Sequence, residues 1–281
     1  MATAWVLTDT RYLGQRMPAA LIDQLAVRGV RTRVLVADDL VVEAAPTPGI
    51  QDPWAELQDG DVVVARTRNR FGLSLLPAAE RRGIRVLTPW APIAAVRDKP
   101  RAAQVLALHG LPTPRTFIAD SPGALKALPA ERFPLILKPH AGDNGRGLVL
   151  VGEPTALDDV HWEDSMVLAQ EFVECGGVDL KLYAAGERLW AVRRPSPLGR
   201  SAPQAASAAA AAIDPTPELR RLALACGEAF GLTLYGIDLL ESPRGPLIVD
   251  VNEFPNYTGV PEAAETIAAL VARQMRARRA A

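Results

Sequence analysis

The first ninety residues alternate short apolar runs with helical patterns, and this alternation restricts the fold more than any other feature. Trp5-Val6-Leu7 reads as a buried strand. A helical pattern follows from Pro18 to about Arg28, with Leu21, Ile22, Leu25 and Ala26 at helical spacing. Strands over 33–37 and 61–65, a helix over about 72–82 and a strand over 84–87 complete the series. Apolar strands separated by helices read as βαβ units around a parallel sheet. Ligands collect at the carboxyl ends of such strands. Residues 9–11 and Arg66-Thr67-Arg68 follow two of them.

The segment Thr88-Pro89-Trp90-Ala91-Pro92 carries two prolines in four residues and reads as a boundary. A helix over 98–109 stops at Gly110, and then the texture changes. Strands are expected over 135–138, 148–151, 167–172, 179–184, 189–192, 236–240 and 247–251, with helices near 217–230 and 261–279. This is an α+β region with antiparallel pairing. The alanine-rich stretch 203–212 reads as a low-complexity loop. Three units are expected: 1–91, 92–168 and 169–281, in keeping with a length of 281 residues.

Composition excludes several classes. A charged share of 22% beside 49% hydrophobic residues is that of a folded globular chain. A net charge of −1 gives no reason to expect nucleic acid or an anionic membrane surface as partner. The longest apolar run, 205–213, is far short of the ~20 residues a bilayer requires. The N-terminus has no basic region before its first acid and does not read as a secretion signal. Cys175 and Cys226 make no disulfide framework, and His109, His140 and His161 lack metal-ligand spacing. A cytoplasmic protein is expected.

Three places could carry chemistry. Lys138 closes an apolar strand and is followed by a glycine-rich turn, Ala141-Gly142-Asp143-Asn144-Gly145-Arg146-Gly147, that leads into the next strand. Backbone N–H groups of such a turn can converge on an anion, and a lysine adds point charge. A hairpin is the plain alternative. Lys99 opens a helix, where a cation opposes the macrodipole unless a phosphate lies nearby. Near the C-terminus, Glu241-Ser242-Pro243-Arg244-Gly245 reads as a hairpin loop that pairs Leu240 with Pro246. Asp238 would then oppose Ile248, with Asp250 diagonal to it, and side-chain alternation would put Asp238, Asp250 and Asn252 on one face. Two carboxylates and an amide oxygen among apolar residues suit a hard divalent cation such as magnesium. Between these stretches, the strand ending Gln170-Glu171-Phe172-Val173 could offer edge backbone to an adenine. Asp179 and Lys181 share a strand face, with a surface ion pair as the plain reading, and Arg193 and Arg194 end the next strand.

The order Lys99, Lys138 with its turn, Gln170-Glu171-Phe172-Val173, Asp179-Leu180-Lys181, Asp238 and Asp250-Val251-Asn252 resembles the ATP-grasp superfamily over about residues 90–270. The first ninety residues look like the pre-ATP-grasp domain that accompanies it. The resemblance implies ATP and Mg2+, with Lys99 and Lys138 on the nucleotide phosphates and a flap that includes Gly142, Asn144, Gly145 and Gly147. It further implies an adenine hinge at Gln170, Glu171, Phe172 and Val173, Asp179 near the ribose, and Asp238, Asp250 and Asn252 as metal ligands. The superfamily often has glutamate where this chain has Asp250.

Two branches are similar. RimK-type carboxylate–amine ligases share the Arg-Asp-Lys at 97–99 and Leu111-Pro112-Thr113-Pro114. The chain departs from them after Arg194, with Pro195 to Arg200 and an alanine run in place of an Arg-Ser…Asn…Gly-Gly stretch. Inositol-trisphosphate kinases share Gln170 to Gly177, Arg193-Arg194-Pro195-Ser196 and Asn252 to Val260, which brings in Tyr257 and Gly259 on the substrate side. Their flap histidine has no counterpart here, with Arg146 in that neighbourhood. The expected activity is a ligase acting through an acyl phosphate. Arg193 or Arg194 would hold the acyl phosphate together with Lys181, and Arg66 and Arg68 would hold an anionic group of a small-molecule or peptide acceptor. A kinase acting on a polyol or inositol phosphate is the alternative, and a catalytically silent ATP-binding protein the second. A homo-oligomer is compatible with either.

Overall fold

Every residue of strand β1 (Thr3–Thr8) is buried, as happens when helices cover both faces of a parallel sheet. The computed structural model describes residues 2–43, 52–140, 147–174, 178–195 and 211–277. β1, β2 (Arg31–Val36), β3 (Val62–Arg66) and β4 (Arg85–Val86) form a parallel sheet in the order β2-β1-β3-β4. Its connections carry α1 (Thr10–Leu13), α2 (Arg16–Val27), α3 (Arg70–Ser74) and α4 (Leu76–Arg81). From β1 the chain goes first to β2 on one side and then to β3 on the other. The switch point therefore lies at the carboxyl ends of β1 and β3.

The single helix expected over 72–82 is two helices. Pro77 has no N–H to donate and its ring crowds the preceding turn, so a fresh helix starts around it. The boundary expected at 88–92 is the start of α5 (Trp90–Arg97), in which Pro92 occupies the first turn, where N–H groups lack intrahelical acceptors anyway. α6 (Lys99–Leu108) follows, with Asp98 capping it through a 3.1 Å bond from Arg101 N–H.

A second sheet, antiparallel, joins β5 (Thr116–Ala119), β6 (Leu135–Pro139), β7 (Val149–Val151) and β8 (Val167–Glu171) in the order β5-β8-β6-β7. Strand β5 was not expected from the sequence. This sheet has its own core of Leu125, Leu135, Leu137, Val151, Leu157, Val167 and Ala169. The unit boundary expected at 168/169 falls inside β8, which pairs along its whole length, so the chain leaves the middle lobe only after Glu171. The boundary at 91/92 likewise falls inside α5, and α5 and α6 pack on the third sheet through Ala95, Val96 and Leu106.

That third sheet is antiparallel: β9 (Val178–Ala185), β10 (Arg188–Pro195), β11 (Ala211–Ile213), β12 (Leu234–Ser242) and β13 (Gly245–Glu253), in the order β11-β10-β9-β12-β13. Ala211 and Ala212, expected to end a loop, pair with β10 as part of β11; residues 203–210 lie outside the described residues. α7 (Pro217–Phe230) covers one face of the sheet. α8 (Ala263–Ala277) joins the other face to the first sheet, with Ile267, Ala268 and Val271 in one buried cluster with Val6, Val64, Tyr183 and Ala185. No helix among the described residues is long and apolar enough to cross a membrane.

α7 approaches its sheet closely because Gly227 leaves room for the Tyr235 ring, whose hydroxyl donates to the Ala223 carbonyl at 2.8 Å. A Cβ at Gly227 would collide with that ring. Gly227→Ala gains about 1 kcal/mol of helix propensity but should lower stability by a net ~1–3 kcal/mol through overpacking. Urea titration checks this, and unchanged or higher stability would refute the close approach.

Candidate active site

The strands β9, β12 and β13 bring three charged side chains side by side. Asp238 pairs in register with Lys181 on β9 and with Asp250 on β13. Lys181 Nζ lies 2.6 Å from Asp238 Oδ1. The register differs from the one expected. Ser242 pairs with Gly245, so the turn holds two residues, Pro243 and Arg244, and Leu240 pairs with Leu247. A bulge next to Asp238 then leaves Val249 as an extra residue, so that Asp238 faces Asp250 and Leu239 faces Ile248. The bulge also resets the alternation. Ile248 and Val251, three residues apart, both enter the core under α7, while Asp250 and Asn252 face the cleft.

Burial and the neighbouring Asp238 raise the pKa of Asp250, and Lys99, Lys138 and Lys181 oppose that rise. The available donors are two carboxylates and the Asn252 amide oxygen, all hard oxygens, which fits a magnesium ion that keeps part of its water shell. Among the described residues no group of three or more His, Cys, Asp or Glu is placed to hold a metal. The oxygens are engaged by protein cations: Asp238 by Lys181, and Asn252 Oδ1 by Arg68 at 3.2 Å.

Lys138 comes from the middle lobe. Its ammonium donates to Gln170 Oε1 at 2.5 Å and, across the lobes, to the carbonyl of bulged Val249 at 3.3 Å. Gln170 is buried and is held in turn by Thr116 Oγ1, which accepts from its Nε2 at 3.1 Å. Burial lowers the Lys138 pKa to about 8; Lys99 adds to the fall, and Asp250 and Asp238 oppose it. Lys99, the first residue of α6, is thus close enough to act on both Lys138 and Asp250. Of the expected flap, Gly142, Asn144 and Gly145 lie outside the described residues. Gly147 has φ +74°, and a Cβ there would meet Pro139 Cγ at 3.0 Å.

The backbone of the expected hinge is tied to the middle lobe: Glu171 N–H donates to Arg115 O at 2.8 Å and Phe172 N–H to Pro134 O at 3.0 Å. Glu171 Oε1 pairs with Arg244 of the β12–β13 turn at 3.0 Å, so its side chain serves a lobe contact. Phe172 and Val173 are half-buried beside it. Asp179 stands opposite Arg194 in register. The surface pair considered for Asp179 and Lys181 is superseded at Lys181, which is bonded to Asp238.

The two arginines of β10 part company. Arg193 pairs in register with core residue Leu180 and bonds the exposed Glu241 at 2.7 Å, on the face opposite the carboxylate pair. Arg194 shares the face of Lys181, and its Nε is buried without a hydrogen-bond partner among the described residues. Of these two arginines, Arg194 is the one on the site's face.

At the switch point of the first sheet, buried Asp9 accepts from Tyr12 N–H at 3.1 Å, Thr67 Oγ1 at 2.5 Å and Arg68 N–H at 3.1 Å. Arg66, expected to meet substrate, is buried. Its guanidinium lies 4.1 Å from the Tyr12 ring centroid and 5.7 Å from that of Phe254, and it donates to Asn256 Oδ1 at 2.6 Å. It acts as a strut between lobes. Tyr257 is also removed from the substrate side: it is fully buried, donates to Ala184 O at 2.6 Å and packs on Tyr183, Trp190 and Phe254. Gly259, at φ +86°, holds a turn against Val192, where a Cβ would come within 3.3 Å.

Sequence reading missed a further pair. Arg97 of α5 bonds buried Glu253 at 2.6 Å and donates to the carbonyls of Arg68 at 3.0 Å and Thr67 at 3.1 Å. Arg97 adjoins the Asp98-Lys99 segment and Glu253 follows Asn252, but no local pattern marks either as a partner of the other.

Residues 96–275 match the family model of the RimK-like ATP-grasp domain. A protein of Parasynechococcus marenigrum named probable alpha-L-glutamate ligase is 35% identical over 230 residues, which cover 75% of this chain and 49% of that protein. The chain thus spans about half the length of that relative. A protein of the same name from Marinobacter nauticus is 32% identical over 220 residues, covering 74% and 73%. The crystal structure of a RimK domain ATP-grasp protein from Sphaerobacter thermophilus superposes with a TM-score of 0.73 at 22% identity, covering 97% and 99%.

The depressed pKa of Lys138 has a consequence for the nucleotide-free protein. Between about 8 in the folded state and the ordinary 10.5, the unfolded chain binds more protons, so this lysine adds stability as pH rises through that window. Below about 8 its burial penalty is fully present. Urea titrations across the window should therefore show wild type gaining on Lys138→Met as pH rises. A constant difference would refute the desolvated ammonium.

Proposed function

The chain belongs to the RimK-like ATP-grasp family, and on that premise we propose a cytoplasmic, ATP-dependent ligase that joins a carboxylate to an amine through an acyl phosphate. One observation carries this reading: the opposed Asp238 and Asp250 with Lys181, Lys138 and Lys99 around them, drawn from separate elements. Such a cluster suits a triphosphate, whose transfer needs positioning and charge neutralisation above all.

In the proposed reaction an acceptor carboxylate oxygen attacks the γ-phosphorus, the bond to the β-phosphate oxygen breaks, and ADP leaves. An amine then attacks the acyl carbon, phosphate departs and a proton is lost from nitrogen. Lys138 and Lys99 hold the phosphates, with Gln170 fixing the Lys138 ammonium. In the Glu171 to Val173 segment, whose first two N–H groups are bonded within the middle lobe, the remaining backbone reads the adenine, and Asp179 lies near the ribose. Arg194 and Lys181 take the charge of the acyl phosphate and of its tetrahedral successor. Asp238, Asp250 and Asn252 would hold magnesium, which neutralises phosphate charge when bound. The relatives are glutamate ligases by name, and glutamate is the first amine to try.

The test follows γ-labelled ATP with Mg2+ and two substrate pools, one of amino acids and short peptides, the other of inositol phosphates. Free labelled phosphate with a new amide-mass product from the first pool supports the ligase. Label ending on an inositol phosphate refutes it in favour of a kinase. Lys138→Ala should cut turnover by at least ~100-fold. Asp250→Asn should shift the magnesium titration to higher concentration, and an unmoved titration would remove Asp250 from the metal site.

A further inference from the structure

Every nitrogen of the Arg97 guanidinium has a partner. Nε and Nη2 lie 2.7 and 2.6 Å from Glu253 Oε1, Nη1 donates to Arg68 O at 3.0 Å, and Nη2 to Thr67 O at 3.1 Å. Arg97 is the last residue of α5, while its partners lie at the end of β13 and in the turn after β3. A planar fork can meet a carboxylate and two successive carbonyls together, which a compact ammonium cannot. The Glu253 side chain is 9% exposed, and a carboxylate so placed needs its cation.

These bonds close a ring around Asn252. On one side Glu253 follows Asn252 in β13 and is held by Arg97. On the other, Arg68 Nη2 donates to Asn252 Oδ1 at 3.2 Å, and Arg97 holds the Arg68 carbonyl. Asn252 Nδ2 donates to Asp250 Oδ2 at 3.3 Å, so both ends of the amide have a set direction. The strand ends just here. Phe254 has φ +32°, a left-handed backbone that costs a non-glycine residue free energy and persists only where the surroundings hold it. The Arg97–Glu253 bond pins the residue immediately before that turn.

We infer that Arg97 is a positioning residue for the metal site, setting the place of Asn252 through Glu253 on one side and through the turn of Arg68 on the other. It fixes the amide oxygen before an ion arrives. Outer supports of this kind govern how tightly a ligand set holds its ion. The inference rests on the reading of Asn252 as a magnesium ligand.

Calorimetry of ADP binding to the full chain over a series of Mg2+ concentrations tests it. The readout is the Mg2+ concentration that gives half of the gain in ADP affinity. Arg97→Lys should raise this midpoint about 10-fold and leave ADP affinity without Mg2+ unchanged. Glu253→Gln, which keeps the shape and an acceptor, should raise it by less. In an Asn252→Ala background Arg97→Lys should add nothing further, because its effect passes through Asn252. If Arg97→Lys does not fold, Glu253→Gln carries the same comparisons. A lower melting temperature with an unmoved midpoint would show a merely structural role and overturn the inference. So would an undiminished shift from Arg97→Lys on top of Asn252→Ala. A midpoint unmoved by Asn252→Ala itself removes Asn252 from the metal and takes the inference with it. A midpoint moved by Asn252→Ala but by neither Arg97→Lys nor Glu253→Gln overturns the inference alone and leaves the metal reading standing.

Discussion

Asp238 and Asp250 face each other across one strand pair in a half-buried cleft, and two acidic groups so placed need cations close by to offset their mutual repulsion. The cations arrive from three directions. Lys181 comes from the adjacent strand β9, Lys99 from the start of α6 and Lys138 from the middle lobe. Each requirement shapes a piece of the fold. The middle lobe must lie over β13, and the β-bulge at Val249 provides the carbonyl on which Lys138 lands. A carbonyl released from the ladder by a bulge is available to such a partner where a regular strand would have used it.

The lobes are joined in two different ways. The first and third sheets share a buried apolar cluster through α8, and burial of that kind scales with area and holds two bodies firmly. The middle lobe has a separate core and meets the third sheet through polar contacts. Ile248 N–H donates to Pro112 O at 2.7 Å, Lys138 reaches Val249 O, and Glu171 pairs with Arg244. Each such bond contributes about 1 kcal/mol net. A body with its own core, held by bonds of that size, is tied far less firmly than one joined through a shared apolar cluster.

Most strands and helices were legible because their patterns are local: period two in β12 and β13, helical period in α2 and α7. The shared face of Asp238, Asp250 and Asn252 was legible for the same reason. The register was not, since a bulge has no signature in the residues that form it, and a two-residue turn and a five-residue loop read alike here. Pro77 and Pro92 misled in opposite directions: one divides an expected helix and the other sits harmlessly in a first turn. Tyr257 and Arg66 carry polar groups beside motifs, which in sequence points to substrate, yet both are buried where lobes meet.

The sequence by itself determined the order of lysines and acids, the strand or helix that carries each, and the faces on which strand alternation places the acids. Those properties depend on neighbours within a few positions. Tertiary structure decided which charges meet. Arg68 bonds a residue 184 positions away, and Lys138 one 111 positions away. It also decided that Arg194 faces the site while Arg193 turns outward, and that Arg68 reaches the cleft while Arg66 is buried. Hydrogen bonds and Coulomb forces act on distance through space, and that distance is set by lobe packing and strand register rather than by spacing along the chain.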